Sequence, residues 1–161
     1  MVRIYLLFAL TVTLLAESVA GLHWTAPAGW KAGPQKPMRA ATYMVDDAEC
    51  AVYFFGQGLG GSVQANLDRW KGQFAAPATP KIGNRVIHGL KATTIDITGS
   101  YSGMAGPMGG AAPAKAGYRM LGAIVENPGG NIFLKFAGPA KTIAANQGKF
   151  EQLLGSFEKD R

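Results

Sequence analysis

The run Cys50-Ala51-Val52-Tyr53-Phe54-Phe55 restricts the fold of this chain more than any other feature. It is apolar almost throughout, where a strand with one wet face would alternate, so both of its faces must be covered. That places it near the middle of a sheet with protein packed above and below. Cys50 is the only cysteine in 161 residues, so no internal disulfide can staple the fold. Stability must come from packing, and a lone thiol inside such a run is expected to behave as a small buried hydrophobe. A reactive thiol would need a neighbouring base to hold it as thiolate, and none lies near in sequence.

The clearest helix follows at once. Gly56-Gln57-Gly58-Leu59-Gly60-Gly61 breaks the strand, and Ser62 is a natural N-cap for a helix reaching about Phe74. Val63, Leu67, Trp70 and Phe74 recur at helical spacing and form one apolar stripe, with Gln64, Asp68, Lys71 and Gln73 outside it. That stripe should dock on the sheet. A second helix is expected from about Lys141 to Phe157, burying Ile143, Phe150, Leu153, Leu154 and Phe157, with Glu158 to Arg161 as a solvated end.

Strands account for most of the rest. Leu22-His23-Trp24 reads as a short first strand, followed by an extended segment rich in proline and glycine. Met38 to Val45 and Glu49 to Phe55 pair across the turn Asp46-Asp47-Ala48. Ala75 to Asn84 reads as a loop. Arg85 to His88 and Lys91 to Ser100 meet at Gly89, and Tyr118 to Glu126 faces Asn131 to Ala137 across Asn127-Pro128-Gly129-Gly130. Gly103 to Gly117, built from Gly, Ala and Pro with Met104 and Met108, buries too little to order itself and reads as a mobile loop. Short connections favour antiparallel pairing. The expected fold is α+β: a single domain with an antiparallel sheet of about six strands covered by two amphipathic helices.

The N-terminus constrains the compartment. Arg3, the apolar run Ile4 to Ala16 and the small residues Ser18-Val19-Ala20 have the layout of a secretory signal peptide at 1–20, cleaved near Ala20. A run of about thirteen residues spans roughly 20 Å as a helix, short of a hydrocarbon core of about 30 Å, so a stable membrane anchor is not expected. Residues 21–161 then form one exported domain, periplasmic or extracellular and large enough for a core of its own. The net charge is +6, and losing Arg3 and Glu17 together leaves it unchanged. The basic residues are scattered singly rather than gathered in a stripe, which argues against nucleic acid as a partner.

The opening Leu22-His23-Trp24-x-x-Pro27-x-Gly29-Trp30, the strand order and the closing Phe150-x-x-Leu153-Leu154-Gly155-Ser156-Phe157 resemble the PsbP-like superfamily. That superfamily takes in the extrinsic P subunit of photosystem II and the Ran-binding Mog proteins. The chain also resembles uncharacterised exported bacterial proteins that share the Trp-x-x-Pro-x-Gly-Trp opening. The resemblance implies a central antiparallel sheet with helices on its faces and an accessory or binding role rather than catalysis. It carries no functional residue across, because the matched positions are structural.

Candidate chemistry is sparse. The glycine run before Ser62 suggests amides that could hold a small anion, yet no Gly-Lys-Ser/Thr or acidic ribose partner supports a nucleotide site. Structural zinc would need more than His23, His88 and Cys50. Met104 and Met108 are soft ligands suited to Cu(I), so a copper-binding protein is one alternative. Ser62, Ser100, Ser102, His88 and Asp96 supply the residue types of a hydrolase, a second alternative, but without a Gly-x-Ser-x-Gly elbow. Trp24, Trp30 and Tyr43 form an aromatic group near the irregular opening that could serve as a platform for a ligand if exposed, while shielded indoles at Trp24 and Trp30 would instead pin the proline-rich segment to the domain as a satellite core, the reading favoured here. The reading is an exported, monomeric binding or accessory domain, without cofactor, whose candidate ligand-binding residues are Trp24, Trp30, Tyr43 and Ser62. Its partner would be a protein, a small molecule or a cell-envelope component met at the rim formed by Gly103 to Gly117.

Overall fold

The computed structural model describes residues 16–75, 79–103 and 113–161. Its frame is a seven-stranded antiparallel sheet in the order β3-β4-β5-β9-β8-β7-β6. The strands are β3 (Lys31–Ala32), β4 (Arg39–Val45), β5 (Ala48–Phe54), β6 (Lys81–Ile87), β7 (Leu90–Tyr101), β8 (Lys115–Val125) and β9 (Ile132–Pro139). A second, three-stranded sheet has β2 (Leu22–Thr25) between β1 (Ala16–Val19) and β10 (Glu158–Lys159). The sheet is therefore larger than the six strands expected, and three very short strands were not legible as such.

As its apolar composition requires, β5 lies inside the large sheet, hydrogen-bonded to β4 and β9. Successive residues of β5 face opposite layers. Cys50 and Val52 enter the core under the C-terminal helix, α2 (Ala140–Gly155), whose Ile143, Phe150, Leu153 and Leu154 are buried there. Tyr53 packs against the opposite cluster, where α1 (Val63–Lys71) seats Leu67 and Trp70 on Ile95, Ile124 and Phe133. Both helices thus dock as their stripes dictate, one on each face.

Local chemistry accounts for the connections. The Ser62 hydroxyl accepts from the Ala65 N–H at 3.1 Å and caps α1, and Gly72 ends it. The helix stops sooner than the stripe suggests, and Phe74 leaves it to bridge Tyr101. Asn66 is fully buried and donates to the Gly60 and Ser62 carbonyls at 2.7 and 2.8 Å, tying the glycine run to the helix. Gly60 has φ +92°, and a Cβ there would meet Phe133 and Phe55 at 2.8 Å, so the run is glycine for packing as well as for turning.

Three further expectations change. Lys81 to Asn84, read as loop, belongs to β6 and pairs with β7 out to Asp96. Lys115 to Gly117, read as the end of a loop, opens β8, while Met104, Met108 and the rest of 104–112 lie outside the described residues. The C-terminus is not simply solvated, since Glu158 and Lys159 pair with His23 and Leu22. At the other end, Ala16–Val19, the close of the expected leader, pairs with β2 across a two-residue turn in which Ala20 and Gly21 both have positive φ. No helix among the described residues is long and apolar enough to cross a membrane.

Candidate functional site

The aromatic group at the opening is core. Trp24 and Tyr43 are fully buried and Trp30 is 6% exposed. Trp24 stacks on Phe157 at 5.0 Å and its indole N–H donates to the Tyr43 hydroxyl at 2.9 Å. Trp30 packs on Phe136 at 5.1 Å. These three side chains pin the proline-rich segment and the last helix to the sheet, so they form core rather than a surface platform. Burial, opposed by the Trp24 hydrogen bond, pushes the Tyr43 phenol well above its ordinary range.

The hydrolase residues are not brought together. His88 sits in the β6–β7 turn with its Nδ1 2.9 Å from the Phe157 carbonyl. Asp96 is held by Arg119 through two bonds of 2.9 and 2.8 Å, and that hydrogen bonding raises the guanidinium's own pKa against its partial burial. Cys50 is fully buried, and desolvation pushes its thiol far above the reactive range. Ser62 is committed to the α1 cap. Among the described residues, no group of three His, Cys, Asp or Glu side chains converges as a metal site would require.

What the fold does assemble lies on the α1 face. The helix covers only part of that face, and beside it two hollows of about 350 and 390 Å³ meet over Tyr53, Tyr101 and Lys135. The first continues past Arg39, Glu49, Lys115 and Tyr118. The second runs under α1 between Pro37, Met38, Phe55, Arg69, Trp70, Gln73 and Phe133. Tyr101 and Tyr118 stack at 5.7 Å, Tyr53 and Phe55 at 5.9 Å, and the Arg39 guanidinium lies 5.2 Å from the Tyr53 ring centroid.

Lys135 is the centre of this groove. Its cross-strand partners are Ala51 on β5, a small residue that lines the first hollow, and Gly122 on β8, over which the Trp70 ring is seated. The ammonium donates to Gln73 Oε1 at 2.6 Å and to the Tyr101 hydroxyl at 2.8 Å. Burial of the ammonium, reinforced by the positive charges of Arg69 and Arg39 and opposed by Glu49, pulls its pKa from 10.5 down to about 8. Burial also raises the Tyr101 phenol. Glu49 is the carboxylate that acts on Lys135, and Asp46 and Asp47 line the far part of the first hollow. Burial pushes it up, but hydrogen bonds from Lys36 at 3.0 Å and Arg39 at 2.7 Å outweigh that and hold it below its ordinary value.

The cations divide into two sets. Arg39 and Lys36 share Glu49, whereas Lys135 and Arg69 have no carboxylate within 4.0 Å among the described residues. Arg69 instead donates to Asn66 Oδ1. Sequence reasoning missed the whole groove, although one signal was present: Lys135 is the sole charge in the run Ile132-Phe133-Leu134-Lys135-Phe136-Ala137.

Neither a protein-family model nor a curated protein matches this chain. Its structure is similar to that of cyanobacterial PsbP (CyanoP) from Synechocystis sp. PCC 6803, with a TM-score of 0.57 at 10% identity, over 99% of this chain and 98% of that one. A Pseudomonas aeruginosa protein of unknown function, PA94, aligns over 89% of this chain and 94% of its own at 9% identity, with a TM-score of 0.47. The fold is PsbP-like, as the end motifs led one to expect.

Proposed function

We propose that this PsbP-like domain is an exported, non-catalytic binding or accessory protein that works through the groove on its α1 face. The observation that carries the reading is Lys135: a charged group held in an aromatic hollow, hydrogen-bonded to Gln73 and Tyr101 but paired with no carboxylate among the described residues. A cation desolvated in this way costs stability, and such sites persist in proteins where a ligand uses them. Catalysis has less support, since His88, Asp96 and Cys50 are each engaged elsewhere or buried.

Export rests on the signal-like residues 1–20. Cleavage after Ala20 would remove β1 and free the outer edge of β2, so the exported form would keep only β10 beside it. Intact mass measurement of protein from the exported fraction reads this directly; a chain still carrying residues 1–20 in the cytosol would refute export.

The binding reading is tested by fragment screening with ¹⁵N-labelled protein. Shifts should gather on Tyr53, Phe55, Trp70, Gln73, Tyr101 and Phe133. Shifts confined to another surface, or none with any fragment, would refute it.

A further inference from the structure

The groove has a chemical polarity that narrows what it can hold. Pro37, Met38 and Phe55, with the buried Trp70 and Phe133 behind them, give the hollow beside α1 an apolar wall, while Lys135 and Arg69 supply two positive charges with no carboxylate within 4.0 Å among the described residues. A neutral apolar ligand would leave both cations uncompensated after expelling their water, which is costly in a desolvated site. A cationic ligand would add to the repulsion. A fully hydrophilic anion would gain nothing from the wall. Only a ligand that is apolar at one end and negative at the other satisfies both.

We infer that the groove binds a small organic acid, a carboxylate carried on an aromatic or branched apolar body, with its charge at Lys135 and Arg69 and its body along Pro37, Met38 and Phe55. This rests on the reading of the groove as the binding site. The size agrees. A hollow of about 390 Å³ lies at the lower end of the roughly 300–1,000 Å³ typical of small-molecule sites, so a ligand of one or two rings fits and a long chain does not. Lys135 already has two acceptors, in Gln73 and Tyr101, which aim it while leaving its third N–H for a carboxylate oxygen. Pairing a partly buried ammonium with that oxygen forms a charge-assisted bond, and Arg69 adds a second donor group beside it.

The test compares 1-naphthoate with 1-naphthamide, which keeps the rings and removes the charge. Calorimetric titration of the full chain should show naphthoate binding about tenfold or more tighter than the amide, the usual effect of one charged hydrogen bond. Its affinity should fall in Lys135→Met and in Arg69→Gln, each checked for folding by near-UV circular dichroism. Above pH 8, where the ammonium loses its proton, naphthoate binding should weaken while amide binding stays level. Equal affinity for acid and amide would overturn the anion inference and leave the groove as an apolar site. Naphthoate binding unchanged by both substitutions, or no binding of either probe at millimolar concentration, would overturn it too. In those cases the fragment shifts decide separately whether the groove binds anything.

Discussion

Replacing Lys135 by methionine should make the protein more stable at neutral pH. The chain length of the side chain is nearly kept, while the ammonium and its desolvation are removed. The interval from 10.5 down to about 8 is worth roughly 3 kcal/mol at about 1.36 kcal/mol per pH unit, and this is the cost of holding the charged form in the fold. Against this stands the loss of the bonds to Gln73 and Tyr101, which leaves the buried Gln73 carbonyl without its donor at a cost of about 1–2 kcal/mol. The net gain at pH 7 is about 1–2 kcal/mol.

The pH dependence gives the sharper test. In the folded protein the lysine sheds its proton near pH 8, in the unfolded chain near 10.5, so between these values the unfolded state binds more protons at this group and wild-type stability rises with pH relative to the variant. The contribution is complete above 10.5 and is lost as pH falls through 8. Between pH 7 and pH 9 the wild type should therefore gain about 1 kcal/mol that the variant does not. Measurement below pH 9.5 stays clear of Tyr43 and Tyr101, whose raised pKa values act in the opposite direction at higher pH; the raised Cys50 thiol also opposes the lysine within the window, but it is common to both proteins and cancels in their difference. Urea melts of both proteins at the two pH values, with m-values compared, read the difference. An advantage of the variant that is the same at pH 7 and pH 9 would refute the desolvated ammonium and the argument built on it.

Other substitutions test the packing around the groove and beneath it. Gly122→Ala places a Cβ 2.7 Å from the Trp70 ring and 2.8 Å from Ile95, so α1 must lift and stability should fall by about 1–3 kcal/mol in denaturant melts; wild-type stability would show that Trp70 does not sit on β8. Tyr43→Phe keeps the ring and strips the acceptor from the Trp24 indole, and should cost about 1–3 kcal/mol in the same assay, where no loss would mean that Trp24 has another partner. Cys50 should ignore a thiol reagent in native buffer and react fully in denaturant; rapid native reaction would show that β5 is not covered on both faces.

The legible parts of this fold are those whose signal is local. The apolar run at Cys50 and the stripe Val63, Leu67, Trp70, Phe74 each carry their own periodicity, and β5 and α1 lie where that periodicity puts them. By contrast, β1, β3 and β10 have four, two and two residues, too few for any alternation to show, and they exist because neighbouring backbone offers them partners. The exposure of Trp24 and Trp30 was likewise undecidable from composition, since what buries them is Phe157 and Phe136, more than a hundred residues away. The groove is the extreme case. Tyr53, Tyr101, Tyr118 and Lys135 come from four strands, and only the antiparallel register of β5, β9, β8 and β7 gathers them.

The division of labour between the two faces follows from element lengths. Seven strands at about 4.8 Å spacing make a sheet about 29 Å across between its edge strands. The sixteen residues of α2 give a rod of about 24 Å, which with the second sheet can close one face. The nine residues of α1 give only about 14 Å, so its face cannot be closed by the helix. The uncovered part must be coated by side chains that tolerate water at one end and the core at the other. Tyrosines and lysine stems meet that requirement, since each presents an apolar body and a polar tip. Coating alone, however, would be served as well by a lysine whose ammonium reached solvent. Lys135 is partly buried with its ammonium turned to Gln73 and Tyr101, and that departure from a simple coating is the observation on which the proposed binding role rests.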